Sequence, residues 1–446
     1  LRSREGRTAT AGDEQIVLLA HEASVMELFA VDPARLAGIV VEHGGPQSHA
    51  AILARSLGIP MVGQVRNFAS LLRPGRRVFV DGTRGTVYVD PPADFVVPGH
   101  VPCAAVEAEP TEAAVPGLPR VEANINLLCE AESAVRQGVG GVGLYRSEFL
   151  FLARRTLPTE EEQVDIYRKL MLQLNGRPVS IRTFDLRPDK LMAYSQLSSA
   201  TVRPFDWRLV LDSPPLQQLF AQQVRAILRA GAPGHPQERV GGPGRRVGPV
   251  RILVPLVTRT EQLDFVLETV ARARQELDRE ELEHAGEMTL GVMIEVAAAT
   301  TMIETWAEHV DYFALGTNDL TASALGLDRD DPVASGQMDS LHPGLLRLIH
   351  EVVTQAHAAG RPVTVCGEMA ADPQGCLALV ALGVDSLSVP VTQLRAVRRI
   401  LAGLSLDGVR DLAPLLVRQR TANRARILLR EWAASTSASA SVPTPH

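Results

Sequence analysis

Lysine is almost absent from this chain: of 45 basic residues only Lys169 and Lys190 are lysines, and the rest are arginines. A bias of that kind reflects the coding genome, so arginine alone says little about anion binding, whereas a lysine that stands in such a background is informative. Cysteine is sparse as well. Cys103, Cys129, Cys366 and Cys376 show no CxxC or metal-ligand spacing, which excludes a disulfide-stapled scaffold and fits a reducing compartment, the cytoplasm. No apolar run reaches the ~20 residues a membrane-spanning helix needs and no signal peptide is visible, so no membrane insertion is expected. Excess basic charge is also missing. With 45 basic against 51 acidic residues, a net charge of −6, nucleic acid is not the expected partner.

What the 446 residues do offer is room for two or three domains. The run from Gly44 to Arg55 stands out (Gly-Gly-Pro-Gln-Ser-His-Ala-Ala-Ile-Leu-Ala-Arg). Its glycines allow a tight turn, Ser48 is a good N-cap, and Ala50 to Leu57 reads as a helix stopped by Gly58 and Pro60. His49 thus sits at a helix N-terminus, where free N–H groups and the helix dipole favour an anion, and its imidazole can accept a phosphoryl group. A lone histidine after two glycines is more commonly a structural cap. Around it, Gln15 to Leu19, Gly38 to Glu42, Val78 to Asp81 and Thr86 to Val89 read as short strands. Residues 13–92 therefore form a small α/β domain after a loose tail, 1–12. Residues 93–118, rich in Pro, Ala and Glu, read as a linker, and its 26 residues span at most ~85 Å fully extended.

From Arg120 onward short apolar strands alternate with amphipathic helices. The strands begin at Val121, Gly141, Val179, Val250, Leu290, Tyr312, Val363 and Ser386. No glycine-rich dinucleotide loop follows the first, and eight strands are the right number for closure. Residues 119–430 are thus expected to form a (β/α)8 TIM barrel in place of an open doubly wound sheet. The Ser/Ala/Pro-rich end, 431–446, reads as a disordered tail.

Chemistry in such barrels gathers where the strands end. The second strand ends in Tyr145-Arg146-Ser147-Glu148, and the third in Arg182-Thr183-Phe184-Asp185 with Asp189-Lys190 and Trp207-Arg208 beyond. The fifth ends in Glu295. The sixth ends in Gly316-Thr317-Asn318-Asp319 with Asp328-Arg329 after it, and the seventh in Cys366-Gly367-Glu368. Singly each has a plain reading: Arg146 and Glu148 as a surface ion pair, Asn318-Asp319 as a helix cap, Cys366 as a small buried hydrophobe. Together they describe one mouth. Glu295 and Asp319 suit Mg²⁺, which takes few protein carboxylates and completes its octahedron with substrate oxygens. Arginine forks grip phosphate and carboxylate. Phosphoenolpyruvate fits, as do other phosphorylated small acids.

Taken with Gly143 to Phe151, Leu157 to Gln163 and the Gly316-Thr-Asn-Asp-Leu-Thr321 run, the motifs from about residue 13 to about 405 make the chain similar to phosphoenolpyruvate-utilising enzymes. In particular it resembles enzyme I of the bacterial sugar phosphotransferase system. The resemblance implies that Glu295 and Asp319 hold Mg²⁺ and that Arg146, Arg182, Lys190, Arg208, Asn318 and Arg329 bind phosphoenolpyruvate. It implies that Cys366 protonates the enolate to pyruvate, and that His49 carries the phosphoryl group to a histidine on an HPr-like acceptor. It implies a homodimer formed through the barrel. The rival within the family is the C-terminal part of a pyruvate, phosphate dikinase or phosphoenolpyruvate synthase; the rival outside catalysis is a phosphoenolpyruvate-sensing regulator. Departures are local: Gln47 for the usual Thr, Arg187-Pro188 for Gly-Gly, Val296-Ala297 for Thr-Pro or Ile-Pro, and Ala322-Ser323 after Asp319. Nothing before residue 13 can form the helical bundle that docks HPr, and a start at Leu1 reads as a cut point or as a lost docking surface.

Overall fold

The computed structural model describes residues 15–23, 28, 31, 35–44, 48–68, 75–92, 95, 117–152, 157–185, 207–234, 245–327 and 337–439. The expected tail 1–12 and all but a few residues of the linker 93–118 lie outside them. The described residues divide into two compact units.

The small unit holds a parallel three-stranded sheet in the order β1 (Ile16–Ala20), β2 (Leu36–Val41), β3 (Met61–Val62), with α1 (His49–Ser56) between the last two. A hairpin, β4 (Val78–Asp81) with β5 (Thr86–Val89), adds a second layer. Val40, Val62, Phe68 and Val80 pack together as its core. The two-residue strand β3 was not anticipated, because two residues carry no alternation to read. Phe95, counted above with the linker, instead packs its ring on Tyr88, centroids 4.8 Å apart, and belongs to this unit.

The large unit is a closed barrel of eight parallel strands: β6 (Arg120–Ile125), β7 (Val142–Arg146), β8 (Val179–Arg182), β9 (Val250–Val254), β10 (Met288–Ile294), β11 (Tyr312–Leu315), β12 (Val363–Val365) and β13 (Ser386–Pro390). Closure is made by β13 pairing with β6, Ser386 opposite Arg120 through Pro390 opposite Asn124. That pairing rules out the open sheet. A helix follows every strand: α2 (Leu128–Arg136); α3 (Glu148–Leu152) and α4 (Glu160–Leu174); α5 (Trp207–Leu211) and α6 (Pro214–Ala230); α7 (Thr260–Arg279); α8 (Ile303–Trp306); α9 (Thr317–Leu325) and α10 (Pro343–Ala358); α11 (Pro373–Ala381); and α12 (Leu394–Ala402). Short buried apolar runs, such as Ile252 to Val254, Val292 to Ile294 and Tyr312 to Leu315, are what make strands visible in the sequence.

The chain then adds α13 (Leu406–Arg410), α14 (Ala413–Leu416) and α15 (Ala422–Ser439). The last corrects the reading of 431–446 as disordered: the helix runs to Ser439. Its first turns are anchored by buried Ala425 and Leu429, and alanine propagates a helix once it has begun. No helix among the described residues is long and apolar enough to cross a membrane.

Candidate active site

In the small unit the loop after β2 delivers His49 as the first residue of α1. Ser48 is extended (φ −63°, ψ 152°) and its Oγ accepts the Ala51 N–H at 3.3 Å, the cap expected from the sequence. The helix N–H groups left over give this end its attraction for an anion. Gly63 lies directly under the turn: a Cβ there would stand 2.8 Å from Gly44 O, so only glycine lets the turn close. The His49 ring and residues 45–47, including Gln47, lie outside the described residues.

At the barrel mouth the strand ends sort into two halves. In the first, Arg146 and Arg182 form the last rung between β7 and β8. Arg182 is buried and pairs with the equally buried Glu148; its Nη1 lies 3.2 Å from Asp185 Oδ2 and 3.8 Å from Glu295 Oε1. Burial alone would weaken its charge, but Glu148, Asp185 and Glu295 outweigh burial and hold the guanidinium firmly ionised. Glu148 therefore is not the surface partner of Arg146. It reaches across to the neighbouring strand, a partner that sequence spacing does not disclose. Beneath, Gln223 of α6 and Ser147 bind the same strand ends. Arg208 lies in α5, whose Trp207 Nε1 donates to Pro255 O at 2.9 Å. The Arg208 side chain lies outside the described residues, as do Arg187, Pro188 and Lys190 in 186–206, and Arg329 in 328–336.

The second half is acidic. Glu295 follows β10 and is 2% exposed. Its Oε2 accepts the Leu256 N–H at 3.1 Å, aimed there by a left-handed backbone at Leu256, φ 56°. Gly316 forms its cradle: a Cβ there would sit 2.6 Å from Glu295 Cγ and 2.8 Å from its Oε1. Burial, then the charge of Asp319, pushes the Glu295 carboxyl up to about 8. Asn318 and Asp319 stand in the first turn of α9 but do not cap it; Gly316 is the N-cap. Instead Asn318 Oδ1 accepts the Glu368 N–H at 3.0 Å and joins the ends of β11 and β12.

Cys366 follows β12, buried, with its amide donating to Leu315 O at 3.1 Å and its carbonyl accepting Asn124 Nδ2 at 3.1 Å. Burial first, then the charge of Glu295, pushes the thiol up to about 12; Arg182 and Arg146 pull it down and Asp319 raises it. Four of the expected site residues thus act electrostatically on one sulfur. A thiol held protonated this way is poorly suited to act as a nucleophile.

Among the described residues no group of three or more His, Cys, Asp and Glu could hold a metal ion. Two carboxylates, buried Glu295 and Asp319 in the first turn of α9, are what a hard divalent ion finished by substrate oxygens requires. The donor set fits such an ion. A neighbouring adjustment shows at 296–297 and 322–323, both departures from the family pattern: the Ala297 N–H donates to Ser323 Oγ at 3.0 Å. Sequence reasoning missed Glu148's true partner, the Leu256 amide and Gln223. Only Gln223 had left a signal, as a polar residue inside the apolar stripe of α6.

A barrel with a buried, ion-paired arginine and two carboxylates at its strand ends, preceded in the chain by an α/β unit with a histidine at the first position of a helix, defines a two-unit α/β protein of recognisable class. Family models agree: the mobile domain of PEP-utilising enzymes matches residues 12–85, and their PEP-binding domain matches residues 108–406. The chain belongs to the phosphoenolpyruvate-utilising enzyme family. It is 34% identical to a multiphosphoryl transfer protein of Xanthomonas campestris pv. campestris, over 93% of this chain and 49% of that protein. It is 36% identical to one of Rhodobacter capsulatus, over 89% and 47% respectively. A phosphoenolpyruvate-protein phosphotransferase of Cupriavidus necator is 32% identical over 89% of this chain and 67% of its own length. The chain thus spans about half the length of the multiphosphoryl transfer proteins it matches.

Proposed function

We propose that this chain takes the phosphoryl group of phosphoenolpyruvate onto His49, releases pyruvate, and passes the group to a histidine of an HPr-like acceptor protein, as an enzyme I-type phosphotransferase. The observation that carries this reading is the buried Arg182, held ionised between Glu148, Asp185 and Glu295 at the strand ends. Fixed cations of this kind stabilise a migrating phosphoryl group without reorganising.

Arg146 and Arg182 bind the phosphate, with Asn318, Arg208, Lys190 and Arg329 completing the hold on phosphate and carboxylate. Glu295 and Asp319 would hold the divalent ion, Mg²⁺ in our reading, which supplies charge neutralisation at the substrate oxygens. A neutral His49 imidazole attacks phosphorus in line. The N–P bond forms as the bond from phosphorus to the enol oxygen breaks, leaving the enolate of pyruvate. The Cys366 thiol gives its proton to the methylene carbon, and the thiolate recovers a proton from solvent. A homodimer through the barrel and a cytoplasmic setting belong to the same reading, supported by the resemblance to enzyme I.

The test is incubation with labelled phosphoenolpyruvate and Mg²⁺. Wild type acquires acid-labile, base-stable label; His49→Ala acquires none, and Asp319→Ala or chelated wild type acquires little. Binding of phosphoenolpyruvate without any labelling would favour a sensor over a transferase, and labelling driven by ATP would favour the dikinase or synthase type.

A further inference from the structure

Between the outer helices and the barrel mouth runs a chain of buried polar groups that the reaction above does not use. Gln223 lies in α6 among Leu216, Leu219, Phe220, Val224 and Ile227, all buried, and is itself fully buried. An amide in that setting costs desolvation free energy unless its groups find partners. They do. Its Oε1 accepts the Phe184 N–H at 2.8 Å, and its Nε2 donates to Ser147 Oγ and to Tyr167 Oη, both at 3.0 Å. Ser147 Oγ donates onward to the Arg182 carbonyl at 2.7 Å. Tyr167 Oη donates to Gln163 Oε1 at 3.2 Å, and Gln163 Nε2 to Pro158 O at 3.4 Å.

This arrangement gives the Leu157 to Gln163 motif a purpose. Thr159 and Glu162 start α4 through a reciprocal cap, and that start puts Gln163 at the far end of the network. The near end matters more. The ladder between β7 and β8 stops at Arg146 opposite Arg182 and is irregular below that rung, between Val142 and Tyr145. Beyond the rung, Gln223 takes over: it holds Ser147, the residue after Arg146, and, directly at the Phe184 amide and through Ser147 at the Arg182 carbonyl, the chain that leaves Arg182.

We propose that Gln223 is a positioning residue that sets the spacing between the strand ends bearing Arg146 and Arg182, and so the fit of their guanidinium groups to the substrate phosphate; the proposal rests on the anion site described under the proposed function. A misplacement of about 1 Å in such a grip costs on the order of 100-fold in rate.

The experiment uses the full chain with Gln223→Leu, which keeps volume and helix but removes all three bonds. Alongside go Ser147→Ala, Ser147→Thr and a control, Gln218→Leu, on the exposed face of the same helix. The readouts are the phosphoenolpyruvate concentration for half-maximal rate of His49 labelling, calorimetric binding of phosphoenolpyruvate, and thermal melting. Gln223→Leu is expected to raise the half-maximal concentration roughly 10- to 100-fold. Ser147→Ala raises it less, Ser147→Thr restores it, and Gln218→Leu leaves it alone. A Gln223→Leu protein that melts lower yet keeps the wild-type half-maximal concentration overturns the proposal, since a purely structural node behaves that way. Should Gln223→Leu not fold, the Ser147 pair decides: equal values for Ser147→Ala and Ser147→Thr overturn it. Wild type that neither binds nor is labelled by phosphoenolpyruvate removes the anion site and this proposal together, whereas wild type that binds beside unaffected variants removes only the role of Gln223.

Discussion

The two halves of the barrel mouth are built on opposite terms. Around Arg182 the protein supplies the countercharges itself: Glu148 and Asp185 pair with the guanidinium, and Gln223 and Ser147 hold the backbone that carries it. Around Glu295 it supplies less. There a buried carboxyl faces the charge of Asp319, with a single amide at 3.1 Å and Arg182 no nearer than 3.8 Å. The cationic half is closed by ion pairs within the fold; the acidic half carries the residues that, under the proposed function, would hold the divalent ion. The comparison teaches where rigidity and where responsiveness to added ions reside.

The contrast can be broken most forcefully at Glu148. Glu148→Ala strands a buried guanidinium and is expected to cost about 3–5 kcal/mol in urea denaturation, with loss of phosphoenolpyruvate binding in calorimetry. Asp319→Asn acts in the other direction. Relieving the repulsion on Glu295 should raise metal-free stability by about 1 kcal/mol, a melting shift of roughly 1–2 °C for a unit of this size. It should also abolish the further rise that Mg²⁺ gives wild type, and a Mg²⁺-dependent rise that persists would mean that the acidic pair is not where the ion binds. In the small unit, Ser48→Ala removes the cap of α1 and should cost about 1 kcal/mol while slowing the labelling of His49. The smallest effect is expected of Ser323→Ala, about 0.5 kcal/mol because its bond to Ala297 is exposed. With Ala297→Pro, tolerated at the first position of a helical turn, Ser323→Ala should become neutral. A persistent cost in that double variant would show that Ser323 acts through some other contact.

The eight strands, the cap at Ser48 and the convergence of Arg182, Glu295 and Cys366 were legible in the sequence. Each depends on local signals: apolar runs, a serine before a helix, residues at strand ends. What escaped depends on neighbours far apart in the chain. Glu148 pairs with a residue 34 positions away, and nothing in the spacing of Arg146 and Glu148 separates that partner from the nearer one. Leu256 reads as an ordinary apolar residue after a strand, yet its left-handed backbone turns its amide onto Glu295. The stretch 431–439 lacks the apolar periodicity that marks a helix, and it is helical because it continues one already anchored at Ala425 and Leu429.

The bond between Ala297 and Ser323 bears on how such chains are recognised. Read column by column against the family pattern, Ala297 for Pro after Glu295 and Ser323 beyond Asp319 count as two independent mismatches. In three dimensions the two positions are joined: the Ala297 N–H, which a proline could not offer, is received by a hydroxyl 26 positions later. A change at either position therefore alters what the other can bond to, and the two departures are better weighed together than apart.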